Sequence, residues 1–108
     1  MRIDEMTDKE QILERLKNLM PQLSAKFGVR NIGLFGSYVH NTANDSSDID
    51  LIIEFDSPPG LEFINLCDFL ENVLDKKVDI LTPDGLKSIR VESVRKNITN
   101  SVEYVRSA

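Results

Sequence analysis

Apolar residues along the first third of the chain recur at helical spacing. Ile12, Leu16, Leu19, Leu23 and Phe27 stand three or four positions apart and line one side of a helix. Thr7 and Glu10, just ahead of that stripe, form a capping box whose side chains satisfy the leading N–H groups. Pro21 falls inside the stripe. Lacking an N–H, it predicts a kink there or the first turn of a second short helix. Gly28 is placed to close the segment as a C-cap. The period then shortens. Residues 31–35 read as a strand running into Gly36-Ser37, residues 40–47 as a polar loop, and residues 48–55 as the clearest strand. Side chains alternate across a strand, so Ile49, Leu51, Ile53 and Phe55 share one face, and Asp48, Asp50, Ile52 and Glu54 the other. Ser57-Pro58-Pro59-Gly60 ends this run. A second helical stripe carries Phe63, Leu66, Cys67, Leu70, Val73 and Leu74, with Ile64 and Phe69 outside it. Residues 77–81 predict a third strand and Pro83-Asp84-Gly85 a turn. Val91, Val94, Ile98, Val102 and Val105 then predict one face of a C-terminal helix, the weakest of the three in intrinsic propensity. The order helix, strand, strand, helix, strand, helix predicts an α/β (α+β) fold, a small mixed sheet flanked by helices.

A chain of 108 residues fits one domain, residues 1–108. No apolar run approaches the length of a membrane span, and the charged residues 1–10 lack the apolar stretch of a signal peptide. The expected compartment is the cytoplasm. Cys67 is the one cysteine, which excludes an internal disulfide and makes core packing its expected role. Asn44 and Asn97 stand in glycosylation patterns that a cytoplasmic chain never presents to that machinery. The net charge is −5, which argues against a broad nucleic-acid-binding surface. Acidity does not exclude a single nucleotide held through a metal ion, because the metal brings its own positive charge.

Three features carry candidate chemistry. Gly36-Ser37 follows a strand directly: glycine permits a sharp turn and close approach of a ligand, and the turning backbone can offer N–H groups to phosphate oxygens. Alone, such a pair is usually just a turn. Asp48 and Asp50, two apart at the start of an apolar strand, fall on one side. Carboxylates so close repel unless a cation lies between them, and Mg²⁺ takes such oxygens together with substrate phosphates. The alternative is a solvated strand face, against which Ile52 counts. Asp79, between Val78 and Ile80, can face the same site from a neighbouring strand, as general base or third metal ligand. Its alternative is a charge on a sheet edge. Together these parts predict in-line phosphoryl chemistry. Asp48 and Asp50 hold Mg²⁺ on a triphosphate that the Gly36-Ser37 turn keeps in register, with a second metal as an option.

Leu34-Phe35-Gly36-Ser37-Tyr38, the ten residues from Tyr38 to Ser47, and Asp48-Ile49-Asp50-Leu51 together resemble the minimal nucleotidyltransferase family of the polymerase-beta-like nucleotidyltransferase superfamily. The resemblance covers nearly the whole chain, and Lys77-Val78-Asp79-Ile80-Leu81 resembles the family's third-carboxylate strand. It implies the nucleotidyltransferase fold, Mg²⁺, and a nucleoside triphosphate, usually ATP. It also implies a partner, since members are frequently antitoxins paired with an all-helical HEPN toxin, and some transfer AMP to a tyrosine of that toxin. The pattern departs at one place. Members often read Gly-Ser-Tyr-Ala-Arg-Gly, whereas Val39-His40-Asn41 stands here, and His40 is not a fixed positive charge at neutral pH. Lys87 and Arg90 are further cations on a helix surface. A chain of this length leaves little room for an acceptor-gripping domain, so the acceptor is expected on another protein or on a second copy. Ile64, Phe69 and Tyr104 are candidates for that interface or for the core. The leading expectation is an AMP-transferring antitoxin. The alternatives are a module that neutralises its partner by binding alone, and transfer to a small molecule.

Overall fold

The computed structural model describes residues 8–44 and 46–105. Helix α1 spans Asp8–Phe27, strand β1 Val29–Phe35, strand β2 Ile49–Phe55, helix α2 Glu62–Leu74 and strand β3 Val78–Leu81. The short helix α3 (Pro83–Lys87), helix α4 (Glu92–Ser101) and the two-residue strand β4 (Glu103–Tyr104) follow. One four-stranded sheet runs in the order β3-β2-β1-β4. β1 pairs antiparallel with both β2 and β4, whereas β2 and β3 run parallel, so the sheet is mixed. Among the described residues, no helix is long and apolar enough to cross a membrane.

Helices α1 and α2 cover one face of this sheet. Ile12, Leu16, Leu23 and Phe27 from α1 meet Leu66, Leu70 and Leu74 from α2 over Ile32, Leu34, Ile49, Leu51 and Ile53. Each such aliphatic side chain contributes about 1.5–3 kcal/mol by leaving water. Phe69, which falls outside the α2 stripe, packs its ring 5.7 Å from that of Phe27. It belongs to the core margin rather than to a free surface. The helix runs through Pro21 as one element, with no second helix beginning there. Thr7, half of the predicted capping box, lies outside the described residues. Gly28 closes α1 as expected, at φ +69° and with its N–H donated to the Ser24 carbonyl at 3.1 Å. At the end of α2, Asp75 takes the left-handed conformation, and Arg15 of α1 donates to the Val73 carbonyl at 3.1 Å, tying the two helices together.

Two expectations are corrected beyond β3. Pro83-Asp84-Gly85 is the opening of α3, not a turn. The Thr82 hydroxyl accepts from the Gly85 N–H, and Pro83 takes the first-turn position where its missing N–H costs nothing. The predicted C-terminal helical face also breaks. α4 buries no residue, Val91 and Val94 are exposed, and the helix stops at Ser101. Val102 is extended, Glu103 and Tyr104 pair with Leu34 and Gly33 of β1, and the Val105 N–H donates to the Ile32 carbonyl at 2.8 Å. The β-branched residues that weaken helix propensity here serve an extra strand instead.

The second face of the sheet is covered only in part. Ile52 points away from the main core and is still 4% exposed. Gly33, its neighbour on β1, explains this: a β-carbon there would meet Val102 at 2.5 Å, and Ile52 and Tyr104 at 3.0 Å. The C-terminal segment therefore lies directly on the Gly33–Ile52 row. In the same way α3 closes on Leu81, whose side chain would stand 2.9 Å from a β-carbon on Gly85. One row further along the strands this cover ends.

Candidate functional site

The uncovered row carries the acidic residues. Register places Phe35 of β1 opposite Asp50 of β2, and Asp50 opposite Asp79 of β3. Paired residues share a face, so Asp50 and Asp79 stand side by side on the half-open side of the sheet. Asp48 precedes β2 and is exposed, as is Asp79, while Asp50 is half-buried. The Ile49 N–H donates to the Lys77 carbonyl at 2.9 Å and pins the start of β2 to the approach of β3. The three carboxylates that the sequence singled out thus come together at one end of the sheet.

The Gly36-Ser37 pair closes the same end. Gly36, Ser37 and Tyr38 form a single 3-10 turn directly after β1. Gly36 has φ +81°, a backbone conformation that penalises any L side chain, and a β-carbon there would collide with the Asp50 carboxylate. Glycine is needed twice over, for the turn and for the approach of Asp50. The Gly36 carbonyl accepts from the N–H groups of Val39 and His40, and the Ser37 carbonyl from that of Thr42 at 2.9 Å. His40 is exposed. Asn41, at the place where the family pattern often has glycine, adopts φ +59°, which asparagine tolerates better than most residues.

A brace that the sequence reading passed over leads from this turn to the acidic strand. The Asn44 side chain accepts from the Ser46 N–H at 2.9 Å and from the Ser46 hydroxyl at 2.7 Å, while the Asn44 N–H donates to the Ser47 hydroxyl at 2.9 Å. Asn44 has the local signature of a side chain that organises a turn.

Electrostatics single out Asp50. Burial, and then the negative charges of Asp79 and Asp48, push its carboxyl above its ordinary value. A cation would relieve both repulsions. Among the described residues, no three acidic, histidine or cysteine side chains close around a common point as a ready metal cage. Asp48, Asp50 and Asp79 are oxygen donors of the kind a hard cation takes. Lys87 and Arg90 are both exposed, on and just after α3. Ile64 is 61% and Tyr104 48% exposed, and Leu61, which the sequence reading did not single out, is 85% exposed.

Comparison with known proteins identifies similar chains and folds. The family model described as "Nucleotidyltransferase domain" matches residues 11–105. The chain is 38% identical over 98 residues to the protein adenylyltransferase MntA of Thermococcus cleftensis, covering 86% of this chain and 95% of that one. A solved structure of a provisionally named minimal nucleotidyltransferase superposes with a TM-score of 0.66 at 25% identity, covering 89% of this chain and 94% of the other. The fold is also that of the antitoxin in a complex from Shewanella oneidensis, in which a minimal nucleotidyltransferase is bound to a tri-AMPylated HEPN toxin. There the TM-score is 0.59 at 17% identity, over 93% of this chain and 73% of the other.

Proposed function

The chain belongs to the nucleotidyltransferase domain family, and from that premise we propose that it moves AMP from ATP onto a hydroxyl of a HEPN-type partner protein and so acts as its antitoxin. The observation that carries this reading is Asp50, crowded by the charges of Asp79 and Asp48 and pressed against the Gly36 turn. The adenylyltransferase relative and the AMPylated HEPN complex support the choice of AMP and of a protein acceptor. We assign the reaction to the cytoplasm, where ATP is held.

Asp48 and Asp50 are the residues to hold Mg²⁺, which when bound neutralises charge on the triphosphate. Gly36 and Ser37 keep the phosphates beside them. Asp79, exposed and next to Asp50, accepts the proton of the incoming hydroxyl. The acceptor oxygen bonds to the α-phosphorus, the bond from that phosphorus to the β-phosphate oxygen breaks, and pyrophosphate leaves. The chain supplies position and electrostatics, and no covalent enzyme intermediate is required.

Incubation of the chain with its HEPN partner, ATP and Mg²⁺, followed by mass spectrometry of the partner, tests this directly. A mass gain of one or more AMP units is expected, and it should be absent with Asp48→Asn/Asp50→Asn. No gain under conditions where the two proteins bind would sink the reading. One observation favours a second function: the turn carries exposed His40 where a fixed cation is usual. If the chain neutralises its partner by binding alone, the double variant will still neutralise it.

A further inference from the structure

Five large apolar side chains are exposed among the described residues, and four of them form two pairs at the starts of two helices. Leu61, at the N-cap of α2, and Ile64 in its first turn make one pair. Val91, at the N-cap of α4, and Val94 in its first turn make the other. Residues three apart lie on one side of a helix, so each pair forms a small apolar patch. The charges around the two patches are opposite in sign. From Asp56 to Asp75 the chain carries five acidic residues and no basic one. Glu62 and Asp68, close to Leu61 and Ile64 along α2, are exposed and form no ion pair among the described residues. Lys87, at the end of α3, and Arg90, next to Val91, are likewise exposed with no ion pair among the described residues. In a chain of net charge −5, this is a local basic surface around an apolar pair.

We propose that the acidic α2 patch of one copy docks on the basic α4 patch of another, so that the chain associates with itself head to tail. The apolar pairs supply the burial, and the opposite charges steer the encounter and fix its register. The two patches belong to opposite sides of the sheet. α2 packs on the helix-covered face, whereas α3 and Val102, which flank α4, lie against the other. A contact between two different patches does not close as a two-fold dimer does, and it continues into a ring or an open series. The patches are small, so the association is of the weak, concentration-dependent kind. No residue of either patch belongs to the carboxylate site, and the inference stands apart from the proposed transfer.

Sedimentation velocity of the full chain, from micromolar to on the order of 1 mM, tests this. The parent protein should pass from monomer to dimer and then to larger species as concentration rises, and the association should weaken several-fold from low to high salt. Ile64→Lys/Asp68→Lys should stay monomeric over the same range, and so should Arg90→Glu/Val94→Glu. Mixed in equal amounts, the two variants should form a heterodimer and stop there, because each brings one intact patch and the remaining two are blocked. A parent that stays monomeric throughout would overturn the proposal and leave the patches to a different partner protein. A parent that stops at a dimer, a variant that associates alone as the parent does, association that salt strengthens, or a mixture that stays monomeric would overturn it as well. The single reversals Asp68→Lys and Arg90→Glu stand in for a double variant that does not fold.

Discussion

The two faces of the sheet are made from the same strands and follow opposite rules. On the helix side, Ile49, Leu51 and Ile53 alternate into a dry layer under α1 and α2. On the other side, the residues between them, Asp50 and Ile52, meet first a turn and other carboxylates, and then the C-terminal segment. One face stabilises the fold by removing apolar surface from water. The other spends part of that stability on like charges held close together. The partition explains how so small a domain keeps three carboxylates adjacent: the core that tolerates their repulsion lies one side chain away, through the thickness of the strand.

The largest effect should come from the covered face. Leu51→Ala removes a side chain with 0% exposure from the centre of the helix-covered layer and should cost about 2–5 kcal/mol. Chemical denaturation measures it, and a loss below 1 kcal/mol would mean that this face is not the dominant core. Gly36→Ala should break the open face instead. The added methyl group is strained at φ +81° and collides with the Asp50 carboxylate, so nucleotidyl transfer should fall by roughly 100-fold, as for a misplaced catalytic group. The fold should lose only about 1–2 kcal/mol. Transfer close to normal in a folded Gly36→Ala protein would separate the turn from the site. Thr82→Ala tests the partial cover. It removes the cap that begins α3 over Leu81 and should cost about 1 kcal/mol by thermal unfolding, with α3 amides exchanging faster. Unchanged exchange would show that Leu81 packing alone holds α3 in place.

The same comparison shows what the sequence could reveal. The covered face was legible because burial on one side writes a period of two into β2 and a helical period into α1 and α2. The Gly36-Ser37 turn and the Asp48, Asp50 pair were legible for a local reason, since their spacing alone puts them on one side. That Asp79 lies directly beside Asp50 was only a possibility in sequence, because a parallel register is fixed by the whole crossover through α2. β4 was hidden for a different reason. Val102 and Val105 continue the helical spacing of α4, and their true partner is the bare backbone of Gly33, far away along the chain. The α3 cap is written plainly as Thr82-Pro83, yet Pro83-Asp84-Gly85 reads as a turn in sequence, because Gly85 looks like a breaker when its N–H in fact serves the cap. Nothing in residue spacing announced that the Tyr38 hydroxyl is buried with no hydrogen-bond partner among the described residues, since burial of a single phenol depends on how distant parts of the chain close around it.

The smallest effect is the most diagnostic of the open face. Burial and the charges of Asp79 and Asp48 raise the Asp50 carboxyl above its ordinary value of 3.8. Between that value and the higher native one, the folded chain binds more protons than the unfolded chain, so stability falls as pH rises through the window. Above it, the cost of ionising Asp50 in place is fully present. Asp50→Asn removes that cost. Relative to the parent protein, the variant should therefore gain stability as pH is raised from below 3.8 toward neutrality, and the gain should level off once Asp50 is fully ionised. Asp50 is only half-buried, so solvent screening keeps the gain small. Paired thermal melts across that range, without divalent cations, measure the difference between the two curves. A difference that is flat with pH would mean that Asp50 ionises as freely in the folded chain as in the unfolded one, and that the crowding of carboxylates beside Gly36 has no energetic consequence. Repeating the melts with Mg²⁺ adds the decisive contrast. A cation drawn to this cluster should raise the parent's melting temperature and leave that of Asp48→Asn/Asp50→Asn unchanged.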